Sequence, residues 1–250
     1  MNATSLIARK EAGELLLSQR GFAWLMALAA ALSAFGLLLV SNTELSLLDN
    51  AQVVYAMVGI VTALGGLLAL VVGVDAVAGE RERGSLIPLL LTPVSRDTIL
   101  AGKLGGVAIA WAVMYALALP YLWAVGSTGQ NLWQGMVVLG LLGSPVVLGF
   151  GFLGMALGAR LTSARAGLLM GLVTLMLSAS PLLIGPSLRQ STIGRGFDAV
   201  NPFSAAVNAF DAVIIDSQTI LGQWSHIAVA AIWLFLTLWL ARSGFRRIAR

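Results

Sequence analysis

The chain has no cysteine and a single histidine, His226, in 250 residues. That excludes a disulfide framework, thiolate metal sites and a cysteine nucleophile. Metal or acid–base chemistry needs clustered partners, so His226 reads as an interfacial residue at the outer end of the last apolar run. Charge is scarce as well. Only 10% of residues are charged, against about a quarter in a soluble protein, and 58% are hydrophobic. A soluble core of this length could not hide so much apolar surface, which leaves a polytopic membrane protein. Lysine occurs only at Lys10 and Lys103. Gly102-Lys103-Leu104 lacks the glycine spacing and the Ser/Thr of a phosphate-binding loop, so no P-loop for ATP hydrolysis is present. No His-x-x-Glu-His, paired glutamates or Ser/His/Asp set lies in an apolar run, where an intramembrane enzyme would need one. The chain is therefore expected not to be an enzyme and to bind no cofactor directly.

Apolar runs are what the chain has in quantity. About 20 residues of helix cross the hydrocarbon, and six spans are predicted near 21–40, 51–74, 104–125, 135–159, 166–186 and 224–241, in one transmembrane domain over 1–250. Thirteen of the 15 basic residues lie before span 1, between spans 2 and 3, between spans 4 and 5, or after span 6; only Arg189 and Arg195 do not. The positive-inside rule then predicts a multi-pass protein of the cell (inner or plasma) membrane with both termini in the cytoplasm. The net charge of +4 reports topology and gives no reason to expect nucleic acid. Residues 1–20, with Leu6, Ile7, Leu15, Leu16 and Leu17 among charges, predict an amphipathic helix in the cytosolic interface. Glu11 and Glu14 ahead of the first run are unlike a cleavable signal peptide. Pro145 and Pro181 predict kinks whose freed backbone groups neighbours satisfy. Gly140, Gly143, Gly149, Gly151, Gly154 and Gly158 predict close helix packing along span 4. No internal repeat is apparent, unlike transporters built from inverted halves.

Residues 79–97 stand out. Six charges, Pro88, Pro93 and a leucine run sit together here, too polar to span and too apolar for a free linker. Ser85 is predicted to cap a short helix, with Pro88 tolerated in its first turn. Leu86, Leu89 and Leu90 share its face. Thr92-Pro93 ends it, and Ser95 caps the next helix with Asp97 in its first turn.

This loop resembles the first cytosolic loop of ABC-2 type transporter permeases. Its carriers are Glu80 and Glu82, Gly84-Ser85-Leu86, Leu89-Leu90-Leu91, Pro93-Val94-Ser95-Arg96 and Gly102-Lys103. The opening Ile7-Ala8-Arg9-Lys10-Glu11 is also similar to this family, including its branch of NosY-type permeases. The resemblance implies an all-α fold of six spans with an N-terminal interfacial helix, a cytosolic coupling helix and outer amphipathic helices between spans 5 and 6. It implies a permease homodimer among membrane lipids, with two copies of a cytosolic ATPase that binds ATP and magnesium. In that arrangement Glu80, Glu82, Arg83 and Arg96 pair with ATPase charges, Gly84 and Pro93 shape the loop, and Leu86, Leu89 and Leu90 anchor the helix to its bundle or to the ATPase. Arg96 and Lys103 could instead serve topology alone.

Residues 187–223 form the long outer loop. Phe197, Val200, Phe203, Val207, Phe210 and Ile214 recur at helical steps, and Asn201-Pro202 begins a fresh helix. The loop is expected to pack on the outer face of the bundle, with Phe197, Phe203 and Phe210 as an outer gate; a lid that only stabilises the fold is the alternative. By resemblance, spans 2 and 5 line the dimer axis, where Tyr55, Thr62, Thr174, Met176 and Ser178 are the polar or polarizable candidates. Three functions stay open: export of a hydrophobic molecule, mechanical transmission to a periplasmic metalloenzyme-maturation factor as in the NosY branch, or a membrane scaffold with no ATPase.

Overall fold

The computed structural model describes residues 3–41, 49–127, 131–180 and 191–248, and every regular element among them is helical. Helices α1 (Ala3–Leu17) and α2 (Gln19–Ser41) part at Ser18, whose Oγ accepts the Gly21 amide at 3.0 Å. Then follow α3 (Asn50–Glu82), α4 (Leu86–Leu90), α5 (Arg96–Gly126), α6 (Leu132–Arg160) and α7 (Ala164–Ala179). Helices α8 (Thr192–Val200), α9 (Pro202–Ile215) and α10 (Trp224–Ile248) complete the described chain. Five of these, α2, α3, α5, α6 and α10, are long and apolar enough to cross a bilayer. The protein is an all-α polytopic membrane protein.

The expected fifth span, 166–186, begins as α7. Its 16 residues reach about 24 Å, short of the ~30 Å hydrocarbon; the remainder, with Pro181, lies outside the described residues. Helices α3, α5, α6 and α10 all run past their predicted spans. Ser95 Oγ accepts from the Thr98 amide at 3.2 Å and starts α5 at Arg96. Asp49 and Gln52 form a capping box at the head of α3. At its far end α3 passes through a π-helical turn, Asp75–Gly79, and continues to Glu82.

Helices α3 and α6 form the buried centre, and glycine sets their separation. A β-carbon on Gly73 would collide with the Gly151 carbonyl, and one on Gly154 with the Leu70 carbonyl. A β-carbon on Gly158 would lie 3.0 Å from the Val74 oxygen. On its other faces α6 receives the Trp233 indole of α10 at Gly149 and the Val107 side chain of α5 at Gly151. The span 4 glycines thus act in packing. A π-helical turn, Leu139–Gly143, lies directly before Ser144-Pro145, where the sequence predicts a kink.

One expectation needs correction. The apolar residues of α1 do not form one stripe. At 100° per residue, positions 6, 7 and 15–17 spread around the whole helix, and the side chains of residues 15–17 lie outside the described set. Leu6 is exposed, whereas Ala12 is buried and α1 is seated on α5. Helix α9 packs against the outer ends of α3, α6 and α7, more deeply than a helix laid on the surface. The chain breaks at Asn201-Pro202, where Asn201 Oδ1 accepts the Phe203 amide at 2.9 Å. Beyond that cap every residue of Pro202–Phe210 except Asn208 is buried. Small residues at 205, 206 and 209 let α9 insert against α10, α7 and α3. Asn201 Nδ2 donates to the Ser178 carbonyl (2.7 Å), and Asn131 Nδ2 to that of Ile214 (2.6 Å).

Candidate functional site

The hairpin between α3 and α5 is built as the sequence suggests, with one substitution of roles. Helix α3 ends in a pair of turns: the Ser85 amide donates to the Glu80 carbonyl at 3.0 Å and the Gly84 amide to that of Arg81 at 3.1 Å. This Schellman closure needs a left-handed residue, and Gly84 has φ +74°. Ser85 was expected to cap α4. Its backbone is helical and its Oγ donates to the Glu80 carbonyl at 3.2 Å, so it finishes α3 instead. A β-carbon at Gly84 would touch nothing within 4 Å. Gly84→Ala is therefore expected to cost only the left-handed backbone penalty, about 1 kcal/mol, read as a small fall in thermal midpoint with the fold retained.

Helix α4 is two-sided. Leu86 is buried with Val77, Ile99 and Leu100, and Leu89 is half-buried beside them; the Leu90 side chain lies outside the described residues. The other side is exposed and apolar: Ile87 at 62% and Leu91 at 80%, with Pro88 and Pro93 alongside. Arg96 is exposed at the start of α5. Asp97, next to it, meets Arg242 and Arg246 of α10 at 3.4 Å each. Its hydrogen bond from Arg242 and the two positive charges hold its carboxyl below the usual carboxylate range.

The charged run ahead of α4 is a clasp, and each member grips a different element. Arg83 pairs with Asp75 through two contacts, 3.1 and 3.2 Å. Glu82 Oε1 accepts the Ala164 amide at 2.8 Å, placing an acid at the positive end of α7. Arg81 donates to the Leu161 carbonyl in the turn between α6 and α7. Glu80 is buried, 4% exposed, and its Oε2 lies 2.7 Å from Lys103 Nζ. The two form a buried ion pair.

Lys103 is the residue that sequence reasoning undervalued. It is fully buried in α5, and its Nζ also donates to Glu11 Oε1 of α1 at 2.8 Å. The three chain segments meet because α5 offers a glycine notch. A β-carbon on Gly102 would lie 2.5 Å from Ile7, on Gly105 3.1 Å from Ala8, and on Gly106 2.6 Å from Glu11. The signal was present as Gly102-Lys103 followed by Gly105-Gly106 at helical spacing from Ile7-Ala8 and Glu11. Two carboxylates share one ammonium. Burial pushes the Glu11 carboxyl above its ordinary 4.5, and Lys103 opposes that rise only in part.

The other sequence candidates do not converge on one space. Thr62 is wholly buried and its Oγ1 donates to the Val58 carbonyl at 2.8 Å; Tyr55 is half-buried against the core. On α7, Thr174 and Ser178 donate to Met170 and Thr174 carbonyls of their own helix, both at 2.9 Å, while Met176 is exposed. Phe203 and Phe210 are core residues of α9, and only Phe197, on α8, reaches the surface. Among the described residues no group of three or more His, Cys, Asp and Glu could hold a metal ion.

Known proteins similar in sequence are found on comparison. The chain is 28% identical over 276 residues to the "Probable ABC transporter permease protein NosY" of Pseudomonas aeruginosa, covering 96% of this chain and 97% of that one. It is likewise 28% identical over 272 residues to the protein of the same name from Stutzerimonas stutzeri, covering 97% and 95%. A family model described as ABC-2 family transporter protein matches residues 5–248. Hairpin, clasp and spans all fall inside that match, and the chain belongs to the ABC-2 family of transporter permeases.

Proposed function

We propose that this permease subunit is driven by a separate cytosolic ABC ATPase that engages the exposed face of α4. The observation that carries this reading is the pair Ile87 and Leu91, one helical turn apart and exposed on a helix whose opposite face is buried. Two large apolar side chains on a short helix outside the spans are costly in water and suit a cleft in a partner. The flanking charges play a part beyond the one expected of them. Glu80, Glu82 and Arg83 grip α5, α7 and α3 and so transmit force from α4 into the bundle, while the exposed Glu82 and Arg83 can also meet charges of an ATPase. Arg96 is exposed as well, and no ion pair is found for it among the described residues. ATP and magnesium belong to the partner, present in two copies around a permease homodimer in the inner or plasma membrane, with the basic-rich ends of the spans in the cytoplasm.

A second reading, in which motion is passed to an extracytoplasmic partner, draws on α8. Ile193 and Val200 are 85% and 71% exposed at the opposite side of the sequence topology. Affinity purification of the tagged permease tests the primary reading. It should recover an ATPase carrying a P-loop in equal amount, and Ile87→Asp with Leu91→Asp should release it while the permease remains in the membrane. Recovery of the permease alone from native membranes would favour a scaffold without an ATPase.

A further inference from the structure

Helix α10 has two faces, and its arginines follow one of them. Ala230, Thr237, Ala241, Gly244 and Phe245 are buried against the bundle. Ile232, Phe235, Leu236 and Trp239 lie on the opposite side of the helix and are exposed, which makes them the lipid-facing stripe of this span. At about 100° per residue, Arg242, Arg246 and Arg247 fall within about 70° of that stripe and away from the buried side. All three are exposed. They follow Trp239 by about 5 to 12 Å along the axis, the depth of the headgroup layer beyond an interfacial tryptophan. Arg160, at the end of α6, stands with them: its guanidinium donates to Ser243 Oγ at 2.6 Å and to the Leu240 carbonyl at 3.3 Å. Among the described residues Asp97 is the only carboxylate in ion pairs with this group, through Arg242 and Arg246. Four guanidinium groups against one carboxylate leave a strong excess of positive charge at the lipid edge of the bundle.

We propose that this edge of α10 binds an anionic phospholipid of the adjoining leaflet, with its phosphate among Arg242, Arg246 and Arg247 and its acyl chains along Phe235 and Trp239. Membrane topology asks for basic residues at this end of the span but not for their direction around the helix. Here they continue the stripe that touches lipid, so headgroup and acyl chains meet their partners on one side of one helix. A guanidinium presents a planar fork that matches phosphate oxygens. A zwitterionic lipid brings an ammonium with each phosphate and leaves the excess charge unanswered, whereas an anionic headgroup neutralises it. Asp97 competes with the headgroup for Arg242 and Arg246, so its charge sets how tightly the lipid is held. A soluble anion would make no use of the apolar stripe. The proposal goes beyond the ATP-driven reading and does not depend on it.

The test uses the full chain in phosphatidylcholine nanodiscs, without ATPase or nucleotide. A growing fraction of a lipid brominated in its acyl chains is added, which quenches a tryptophan it touches. The brominated lipid is phosphatidylglycerol in one series and phosphatidylcholine of the same chains in the other. The Trp239 signal is the difference between the unaltered chain and Trp239→Phe. Half-maximal quenching of that signal is expected at an about five- to tenfold lower fraction of the phosphatidylglycerol. Trp123, exposed near the far end of α5, is read in the same way by Trp123→Phe and should show no preference. Arg246→Gln with Arg247→Gln, both at exposed positions, should cut the preference at Trp239 to about twofold or less. Asp97→Asn should raise it, a change of opposite sign that a loss of folding does not produce. Equal quenching by the two lipids at Trp239, or a preference unchanged in the arginine double variant, would overturn the proposal. Displacement of the lipid by millimolar inorganic phosphate at constant ionic strength would assign the patch to a soluble anion and overturn it too. Release of the ATPase from native membranes by the double variant, with the lipid preference intact, would make the patch a protein contact and overturn it as well.

Discussion

Lys103→Met is expected to destabilise the folded chain by about 3–5 kcal/mol, the scale for stranding a buried charge after removing its partner. Methionine fills the stem of the lysine but leaves Glu11 and Glu80 facing each other, with the Glu80 side chain 5% and the Glu11 side chain 11% exposed. Each must then take up a proton or pull out into water. Withdrawal of Glu11 would release α1 from the glycine notch, and withdrawal of Glu80 would unseat the Schellman closure that aims α4. The measurement is a thermal melt in detergent together with protease accessibility of residues 3–17. Removing all three charges by Glu11→Gln, Glu80→Gln and Lys103→Met should recover part of the loss, because the desolvation cost goes with the charges. A melt unchanged in the single variant would show that the cluster does not hold the elements together.

Gly73→Ala should be nearly as damaging, about 3 kcal/mol or more, at the upper end of the range for overpacking. The new methyl group meets backbone: the Gly151 carbonyl oxygen, its carbon at 2.9 Å and the Met155 nitrogen at 3.0 Å. Backbone cannot rotate aside as a side chain can, so α3 and α6 must separate along the seam that also includes Gly154 and Gly158. Gly59→Ala on the same helix is the control, since a β-carbon there meets nothing within 4 Å. The paired melts should show a large fall for the first and little change for the second, with even a small gain from helix propensity.

These two residues also mark the limit of what the sequence revealed. The spans were legible because lipid imposes long apolar runs, and the α4 hairpin because Gly84, Thr92-Pro93 and Ser95 punctuate the chain locally. The α6 glycines were legible as a small-residue face, but Gly73 was not, since nothing sets it apart from Gly59, Gly65 and Gly66 of the same helix or hints which carbonyl crosses it. Long-range charge pairing was hidden for the same reason. Glu80 lies 23 positions from Lys103, and Glu11 lies 92 positions from it. Nothing local distinguishes a buried triad from charges that obey the positive-inside rule. The outer helices were misjudged in depth because the period of Phe203, Val207 and Phe210 shows that α9 has an apolar face; it does not show that the intervening alanines are buried too.

The most direct measurement on the central claim is site-specific cross-linking from α4. Cysteine can be introduced at Leu91 into a chain that has none, then armed with a short photoreactive group in native membranes. Our account predicts an adduct with an ABC ATPase, identified by its P-loop peptide, whose yield changes when ATP is trapped, and no such adduct from Ile193→Cys on α8. Absence of the ATPase adduct from Leu91, or an equal yield from Ile193, would contradict the assignment of α4 as the point where the ATPase drives this permease.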